Sequence, residues 1–222
     1  YVVVGAPRDD FGALDAGAAY VYDAWSGALL RTLTNPSPAA SDQFGHTVAI
    51  SDDWVVVGAP FDDTGASDSG AVYLYNLRTG SLQRTLSNPT PAVSDQFGYS
   101  VAVSQDRVLV GTFGDDAFGT NAGSAYLFDL QSGSFLKTMT KTAPVAGDQF
   151  GWSVALSNDL ALVGAVADDT GADAAGAAYL FDAQTGAFLR ALNNPSPAAS
   201  DNFGHAVALV GQQALIGAPY AD

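Results

Sequence analysis

The sequence predicts an all-β fold, a β-propeller of four-stranded antiparallel blades, because it combines a strict internal repeat with a composition suited to strands and turns. Glycine recurs every 53 residues along the whole chain. The positions that mark this register are Gly5, Gly58, Gly111, Gly164 and Gly217. A period near 50 that holds several short strands is typical of propeller blades, whereas helical solenoids repeat at about 33 to 47 residues.

The composition favours strands and turns over helices. The 23 acidic residues are all Asp, since the chain contains no Glu. Glu favours helices, whereas the short Asp carboxylate bonds nearby backbone N–H groups and so favours turns and caps. With 24 Gly, 10 Pro and many Val, Tyr and Phe residues, the sequence predicts short strands with tight connections. We expect almost no helix.

The second repeat shows the expected order of elements. Residues 44–50, FGHTVAI, alternate in polarity and predict a first strand, which the turn SDD ends. Residues 54–60, WVVVGAP, predict an apolar second strand, and the loop FDDTGASDS follows. Residues 70–76, GAVYLYN, predict the third strand, and SLQRTLS predicts the fourth after the turn LRTG. Four antiparallel strands per repeat are the content of one propeller blade.

The unbroken register predicts one repeat array without a linker. The predicted segments are a partial blade 1–43, whole blades 44–96, 97–149 and 150–202, and a partial blade 203–222. The array opens and closes on second strands, at Tyr1 to Pro7 and at Ala214 to Pro219. We therefore expect a partial propeller, with flanking blades or domains in a longer chain.

Each predicted blade has two long connections, one after the second strand and one after the fourth. In a four-stranded meander these connections share one face, which we call the long-loop face, and the tight turns share the other. Most of the 23 Asp fall on the long-loop face, where only Arg8 and Lys141 offset their charge. We therefore expect a partner to bind there. A net charge of −15 disfavours nucleic acid, because phosphate binding needs clustered Lys and Arg.

Each predicted fourth strand carries a basic residue. These residues are Arg31, Arg84, Lys137 and Arg190. Because the fourth strand is the outer edge of a blade, a charge there discourages pairing with the edge strands of other molecules. We interpret these residues as edge protection rather than as a ligand-binding stripe.

A four-residue motif ends each long loop and precedes a β-run that leads to VGAP or a variant of it. The motif is DQFG or DNFG, at residues 42–45, 95–98, 148–151 and 201–204. This pattern resembles the FG-GAP repeat family, which builds the N-terminal propeller of integrin α subunits and occurs in many exported bacterial proteins. The resemblance implies a propeller, an extracellular or cell-surface location, and a role in cell adhesion.

The same resemblance implies a calcium loop of the form DxDxDG between the first and second strands, and here the chain departs from the family pattern. The corresponding segments are short turns such as Ser51-Asp52-Asp53 and Ser104-Gln105-Asp106. Calcium takes six to eight oxygen ligands, which a turn of this length cannot supply. We expect the integrin-type calcium site to be absent.

A different acidic segment follows the second strands and is a candidate metal site. Its carboxylates are Asp62, Asp63 and Asp68 in the second repeat and Asp9, Asp10 and Asp15 in the first. Three carboxylates within seven residues repel one another, and Ca²⁺ would relieve that repulsion. Alternatively, these Asp residues are turn formers that bond the backbone. The sequence leaves both interpretations open.

The residue after each FG pair is an aromatic or a histidine and is a candidate ligand-binding position. These residues are His46, Tyr99, Trp152 and His205. In a propeller they would begin the innermost strands, next to the central channel. They could line a small binding site or fill the channel by packing.

These features favour a non-catalytic, exported binding or adhesion scaffold whose acidic long-loop face engages a protein or a glycan. An enzyme needs one asymmetric constellation, whereas the polar residues recur in every repeat; there are two His and no Cys. The alternative is the propeller portion of a larger exported enzyme, quinoprotein-like or hydrolase-associated. The segment DAQTGAFL from Asp182 is similar to a turn of quinoprotein dehydrogenase propellers, although Arg190 replaces their docking Trp. No apolar run is long enough for a membrane helix.

Overall fold

The structure, a computed structural model, describes residues 1–221. Regular secondary structure in this range is entirely β-strand, with no helix, as the composition predicts. Seventeen strands form five antiparallel sheets, and none of these sheets closes on itself within the described residues. The chain divides into two compact units, Tyr1–Val101 and the residues from Ala102 onward.

The first unit contains a three-stranded and a four-stranded sheet. The three-stranded sheet has the order β1 (Val2–Ala6), β2 (Ala18–Tyr22) and β3 (Leu29–Thr34). The four-stranded sheet has the order β4 (Thr47–Ser51), β5 (Trp54–Ala59), β6 (Ala71–Asn76) and β7 (Leu82–Ser87). Each strand pairs with its neighbour in sequence, so both sheets are meanders.

The remaining strands form two four-stranded sheets and one two-stranded sheet. The first comprises β8 (Ser100–Ser104), which spans the boundary between the units, β9 (Arg107–Thr112), β10 (Ser124–Asp129) and β11 (Phe135–Met139). The second comprises β12 (Phe150–Ser157), β13 (Leu160–Ala165), β14 (Ala177–Asp182) and β15 (Phe188–Asn193). The last pairs β16 (Ala206–Val210) with β17 (Gln213–Gly217). The predicted four-stranded antiparallel sheets are therefore present.

The connections within each sheet alternate between short and long. Ser51 at the end of β4 pairs with Trp54 at the start of β5, so only two residues form that turn, and the first of them, Asp52, has a φ of 49°. The β6–β7 turn is also tight, because the Asn76 carboxamide oxygen accepts hydrogen bonds from the N–H groups of Arg78 and Thr79. The long connections therefore lie at the opposite end of the strands from these tight turns.

The phenylalanine of the FG motif joins one repeat to the preceding one. The Phe44 N–H donates to the Ala16 carbonyl over 2.9 Å, and Phe44 forms a parallel bridge with Gly17. A Cβ on Gly17 would lie 2.1 Å from the Phe44 carbonyl oxygen, so only glycine allows this approach. The strand of its own repeat begins three residues later than the sequence suggests, at Thr47.

The hydrophobic core of each unit lies between the faces of successive sheets. In the first unit, Val21 and Leu33 of the three-stranded sheet pack with Phe44, Val57 and Tyr73 of the next repeat. In the second unit, the β8–β11 and β12–β15 sheets bury a corresponding cluster. Its large members are Leu109, Leu127, Met139, Phe150, Tyr179 and Phe181. The motif residues Phe44, Phe97 and Phe150 are buried, whereas Phe203 is only half-buried.

The basic residues of the fourth strands lie on sheet edges, as the sequence predicts, because β3, β7, β11 and β15 are all edge strands. Arg31 on β3 has a further contact, since its Nε and Nη2 both donate to the Arg78 carbonyl of the following repeat, over 3.2 and 2.5 Å. Arg31 therefore also holds the β6–β7 turn. No helix within residues 1–221 has the length and apolar character needed to span a membrane.

Candidate functional site

The long loops carry most of the buried polar groups, and the β5–β6 loop shows how they are used. Asp62 is buried at the start of this loop. Its Oδ1 accepts the Thr64 N–H over 2.9 Å, and its Oδ2 accepts the Tyr73 hydroxyl over 2.6 Å. The carboxylate therefore ties the loop to strand β6. The same Tyr–Asp bond recurs in three further repeats, as Tyr20–Asp9, Tyr126–Asp115 and Tyr179–Asp168.

The second Asp of each loop bonds the backbone five residues further on. Asp63 Oδ1 accepts the N–H of Asp68 over 2.9 Å, and Asp68 has a positive φ of 53°. The equivalent bonds are Asp10 to Asp15, Asp116 to Asn121 and Asp169 to Ala174. Each accepted N–H belongs to a residue in the left-handed region, so the carboxylate offsets an unfavourable backbone conformation.

The loop between β3 and β4 is closed by Asp42, the aspartate of the DQFG motif. Asp42 is buried, and its Oδ2 accepts the Ala39 N–H over 2.7 Å and the Asn35 Nδ2 over 2.8 Å. Asn35 Nδ2 also lies 3.2 Å from Asp62 Oδ2, so one amide links the two long loops of this part of the chain. Burial, with a smaller contribution from the nearby Asp62 and Asp63 charges, raises the pKa of Asp42 to about 6 against the lowering effect of the Ala39 and Asn35 hydrogen bonds.

In the second unit a lysine occupies the position that Asn35 has in the first. Lys141 Nζ lies 2.7 Å from Asp148 Oδ2 and 2.9 Å from Asp168 Oδ2, and all three side chains are largely buried. Burial would raise the pKa of Asp168, but hydrogen bonds from Thr170, Tyr179 and Lys141 outweigh it and lower that pKa. In this ion triad one cation is shared by two carboxylates and offsets one of their two negative charges.

The candidate metal ligands are accounted for by hydrogen bonds within the protein. Asp62 is buried and bonded to Tyr73, and Asp63 bonds the backbone of Asp68. In the first repeat, Asp9 accepts from the Tyr20 hydroxyl and Asp10 accepts the Asp15 N–H, whereas Asp15, like Asp68, contributes its backbone N–H. Within residues 1–221, no group of three or more His, Cys, Asp or Glu side chains is arranged to hold a metal ion. The structure therefore places these carboxylates in turns without bringing them together around one point.

The candidate ligand-binding residues form two pairs of rings, one in each unit. In the first unit, the His46 ring centroid lies 4.8 Å from that of Tyr99 and 6.4 Å from that of Phe61. In the second unit, Trp152 lies 5.7 Å from His205 and 5.0 Å from Phe113. Burial lowers the pKa of His46, which keeps the imidazole neutral near pH 7. These rings present an aromatic surface, and ligand binding by it stays a prediction.

Comparison with known families bears directly on these loops. A family model described as FG-GAP repeat matches three successive stretches, residues 30–75, 81–128 and 138–181, which together exceed half of the chain. The chain belongs to the FG-GAP repeat family. Each matched stretch contains one DQFG motif, at residues 42–45, 95–98 and 148–151, together with the β-run that follows it.

Comparison with solved structures supports the FG-GAP fold at a coarser level. The crystal structure of the computationally designed Ika4 protein has a TM-score of 0.55 to this chain, with 16% sequence identity. The match covers 83% of this chain and 90% of that one. At this identity the likeness concerns the fold alone. The comparison with curated proteins gives no match.

The sequence analysis missed the position that links a long loop after a fourth strand to the next long loop of the FG-GAP chain. The residues at this position are Asn35, Asn88, Lys141 and Asn194. In the second unit, Asn194 donates to Asp201 over 2.7 Å. The signal was present in the repeat register, because Lys141 is the one charged residue among the four. The role of Lys141, however, depends on its contact with Asp168, which lies 27 positions further along the chain.

Proposed function

We propose that this FG-GAP chain is part of a β-propeller and acts as a non-catalytic, exported binding or adhesion scaffold. The repeated four-stranded sheets and the family support a propeller, and each sheet would then be one blade. The partner class that we propose is a protein or a glycan, which binds the long-loop face. Export to the cell surface or beyond it follows from the family resemblance.

The observation that carries this proposal is that one loop framework is built four times while its exposed side chains differ. The framework consists of the Asp bonds to a tyrosine and to the backbone five residues further on. One exposed position is occupied by Phe11, Thr64, Ala117 and Thr170, and another by Leu14, Ser67, Thr120 and Asp173. A constant framework that presents variable, exposed residues is typical of binding loops on a rigid scaffold.

The exposed apolar residues mark the first repeat as the part of this face best suited to a contact. Phe11 is 52% exposed and Leu14 is 65% exposed, and both lie on the β1–β2 loop. Large exposed apolar side chains that lie close together are a common feature of interaction sites. Aromatic residues are enriched at the centres of protein interfaces, and their flat faces also stack on sugar rings.

The test is a binding screen with a matched pair of surface variants. Arrays of glycans and of extracellular proteins are probed with the wild-type chain, and each hit is measured again with Phe11→Ser/Leu14→Ser and with Trp25→Ser. Trp25 is 97% exposed but lies in the short β2–β3 turn, at the end of the sheet opposite the long loops. We expect the double variant to lose binding and Trp25→Ser to retain it. Loss of binding in Trp25→Ser alone would move the site to the short-turn face.

A further inference from the structure

The carboxylates of Asp42 and Asp62 are bridged by the neutral side-chain amide of Asn35. The equivalent pair of carboxylates in the second unit is bridged by the positively charged Lys141. Both carboxylates are buried, and both accept from Asn35 Nδ2, over 2.8 and 3.2 Å. Neither forms a salt bridge among the described residues. Two buried negative charges that share one neutral donor repel each other, and one of them gains from binding a proton.

The groups that surround this pair do not supply the missing positive charge. Asp63, next to Asp62 in the β5–β6 loop, adds a further negative charge near Asp42. Strand β6 contributes the Tyr73 hydroxyl, which donates to Asp62 Oδ2; burial and the Asp62 hydrogen bond raise the pKa of Tyr73, so it stays a neutral donor. The β3–β4 loop itself contributes the Ala39 N–H. From the β1–β2 loop, the contact is the backbone carbonyl of Asp15, which accepts the Gln43 N–H.

The second unit shows what the same loops do with a cation in place. Lys141 holds Asp148 and Asp168 together within 2.7 and 2.9 Å, and the pKa of Lys141 is raised because its hydrogen bonds and charge attraction to Asp148 and Asp168 outweigh burial. Asp148 and Asp168 correspond to Asp42 and Asp62 in the repeat register. The chain therefore contains its own matched comparison, one carboxylate pair bridged by an amide and one bridged by an ammonium group.

We propose that the Asp42–Asp62 pair is a pH-sensitive contact between the β3–β4 and β5–β6 loops of the first unit, closed when the pair carries one proton and weakened when it carries none. Closure joins the loop that ends in Asp42 to the loop that begins at Asp62. The Lys141 triad makes the equivalent contact in the second unit independent of pH over the same range. Binding residues on the β5–β6 loop are thus held more firmly under mildly acidic conditions than under neutral ones.

The sign of the effect follows from the direction of the shift. Asp42 releases its proton near its ordinary pKa of 3.8 in the unfolded chain and near 6 in the folded one. Its contribution to the free energy of unfolding is therefore fully present below pH 3.8, falls between 3.8 and about 6, and is lost at higher pH. Since the whole chain has a net charge of −15, acid relieves general repulsion as well. Variants in which a single bridging amide is replaced separate the titration of Asp42 from this general charge repulsion.

The experiment exchanges the bridging residues between the units of the 222-residue chain. The variants are Asn35→Lys, Lys141→Asn and the control Asn194→Lys, whose parent amide bonds Asp201. Side-chain carboxyl carbons are followed by NMR from pH 3 to 8, and the melting temperature is measured across the same range. In the wild type we expect the Asp42 carboxyl to titrate near 6. In Asn35→Lys the midpoint should fall by about 1–3 pH units, as an adjacent cation produces.

The melting temperatures should change with the same pattern. Asn35→Lys should melt above the wild type at pH 7.5, with a difference that shrinks toward pH 4.5. Lys141→Asn should show the reverse difference, and Asn194→Lys should leave the Asp42 titration unchanged. The proposal is overturned if Asp42 titrates with the exposed carboxyls near pH 4 in the wild type, a measurement that does not depend on any variant folding. It is also overturned if the Asp42 midpoint is the same in the wild type and in Asn35→Lys.

Discussion

The Tyr73 hydroxyl donates to the carboxylate of Asp62 over 2.6 Å, eleven residues back along the chain, and both groups are buried. This bond fixes the beginning of the β5–β6 loop to the strand that follows it. Its recurrence in three other repeats shows that the loop framework is a property of the repeat rather than of one sheet. Removing the hydroxyl leaves a buried carboxylate oxygen with one partner fewer.

We predict that Tyr73→Phe lowers the free energy of unfolding by about 1–3 kcal/mol, the usual cost of leaving a buried charged acceptor without its donor. Tyr22→Phe is the matched control, because Tyr22 is only half-buried and its hydroxyl has no hydrogen-bond partner among the described residues. Urea denaturation of the two variants and the wild type measures the difference. An equal and small effect of both substitutions would show that the Tyr73–Asp62 bond contributes nothing to stability.

A second prediction concerns the phenylalanine of the FG motif. Phe97 is fully buried, and its N–H donates to the Ser69 carbonyl of the preceding repeat. Phe97→Ala should cost about 3–5 kcal/mol, because the substitution leaves a cavity that the surrounding sheets cannot fill. Phe118→Ala is the control, since Phe118 is 49% exposed on a long loop and should cost less than 1 kcal/mol. Similar losses for both variants would contradict a packing role specific to the motif.

The 53-residue register was sufficient to predict the four-stranded sheets and the order of their strands. These follow from spacing and side-chain polarity, which the sequence carries directly. The role of Asn35 was not predictable, because its partner Asp62 lies 27 residues away and the contact depends on how two loops approach. For a related reason, the sequence did not decide whether the acidic loops bind a metal ion or bond their own backbone as turns. Repulsion among carboxylates is visible in the sequence, whereas the backbone N–H groups that relieve it are identified only by the turn geometry.

A third prediction uses two glycines from the same position of the repeat. A Cβ on Gly164 would lie 2.0 Å from the Gly204 carbonyl oxygen, whereas a Cβ on Gly217 would meet its nearest atom at 3.7 Å. Neither glycine has a positive φ, so the two sites differ in space rather than in backbone strain. Gly164→Ala should cost about 1–3 kcal/mol or more through overpacking, and Gly217→Ala should be close to neutral. The measurement is thermal unfolding of both variants. A Gly164→Ala variant as stable as the wild type would contradict the close approach of Gly164 to the Gly204 carbonyl.

A fourth prediction concerns the ion triad of the second unit. Lys141→Met leaves Asp148 and Asp168 buried without a cation and should cost about 3–5 kcal/mol at pH 7. The folded state lowers the pKa of Asp168, so its stabilising contribution is present above the ordinary value of 3.8 and is lost as the pH falls through the lower, folded value. The cost of Lys141→Met should therefore decline in acid.

The control for the triad is an exposed ion pair. Arg78 and Asp53 lie 2.7 Å apart with side chains that are 71% and 54% exposed. Arg78→Met should cost far less than Lys141→Met, because solvent screens exposed pairs. Urea denaturation at pH 7 and pH 3 provides the measurement. If both Lys141→Met and Arg78→Met cost the same at pH 7, the triad does not act as a buried unit.

The last prediction addresses calcium at the acidic loops. Asp62 has both carboxylate oxygens engaged by Thr64, Tyr73 and Asn35, and Asp63 is bonded to the Asp68 backbone. A cation at this loop would have to displace several of these bonds and then find six to eight oxygen ligands. We therefore expect calcium to raise the melting temperature no more than sodium chloride of the same ionic strength, which screens charges over about 8 Å at physiological strength.

The measurement is the melting temperature against calcium at constant ionic strength, for the wild type and for Asp62→Asn/Asp63→Asn. Because the double variant also removes hydrogen bonds of the loop framework, it should melt lower than the wild type without calcium. The informative quantity is therefore the calcium-dependent shift within each protein. A shift in the wild type that exceeds the sodium chloride effect, and that disappears in the double variant, would place a calcium site in this loop. Equal shifts in both proteins would assign these carboxylates to the backbone turns alone.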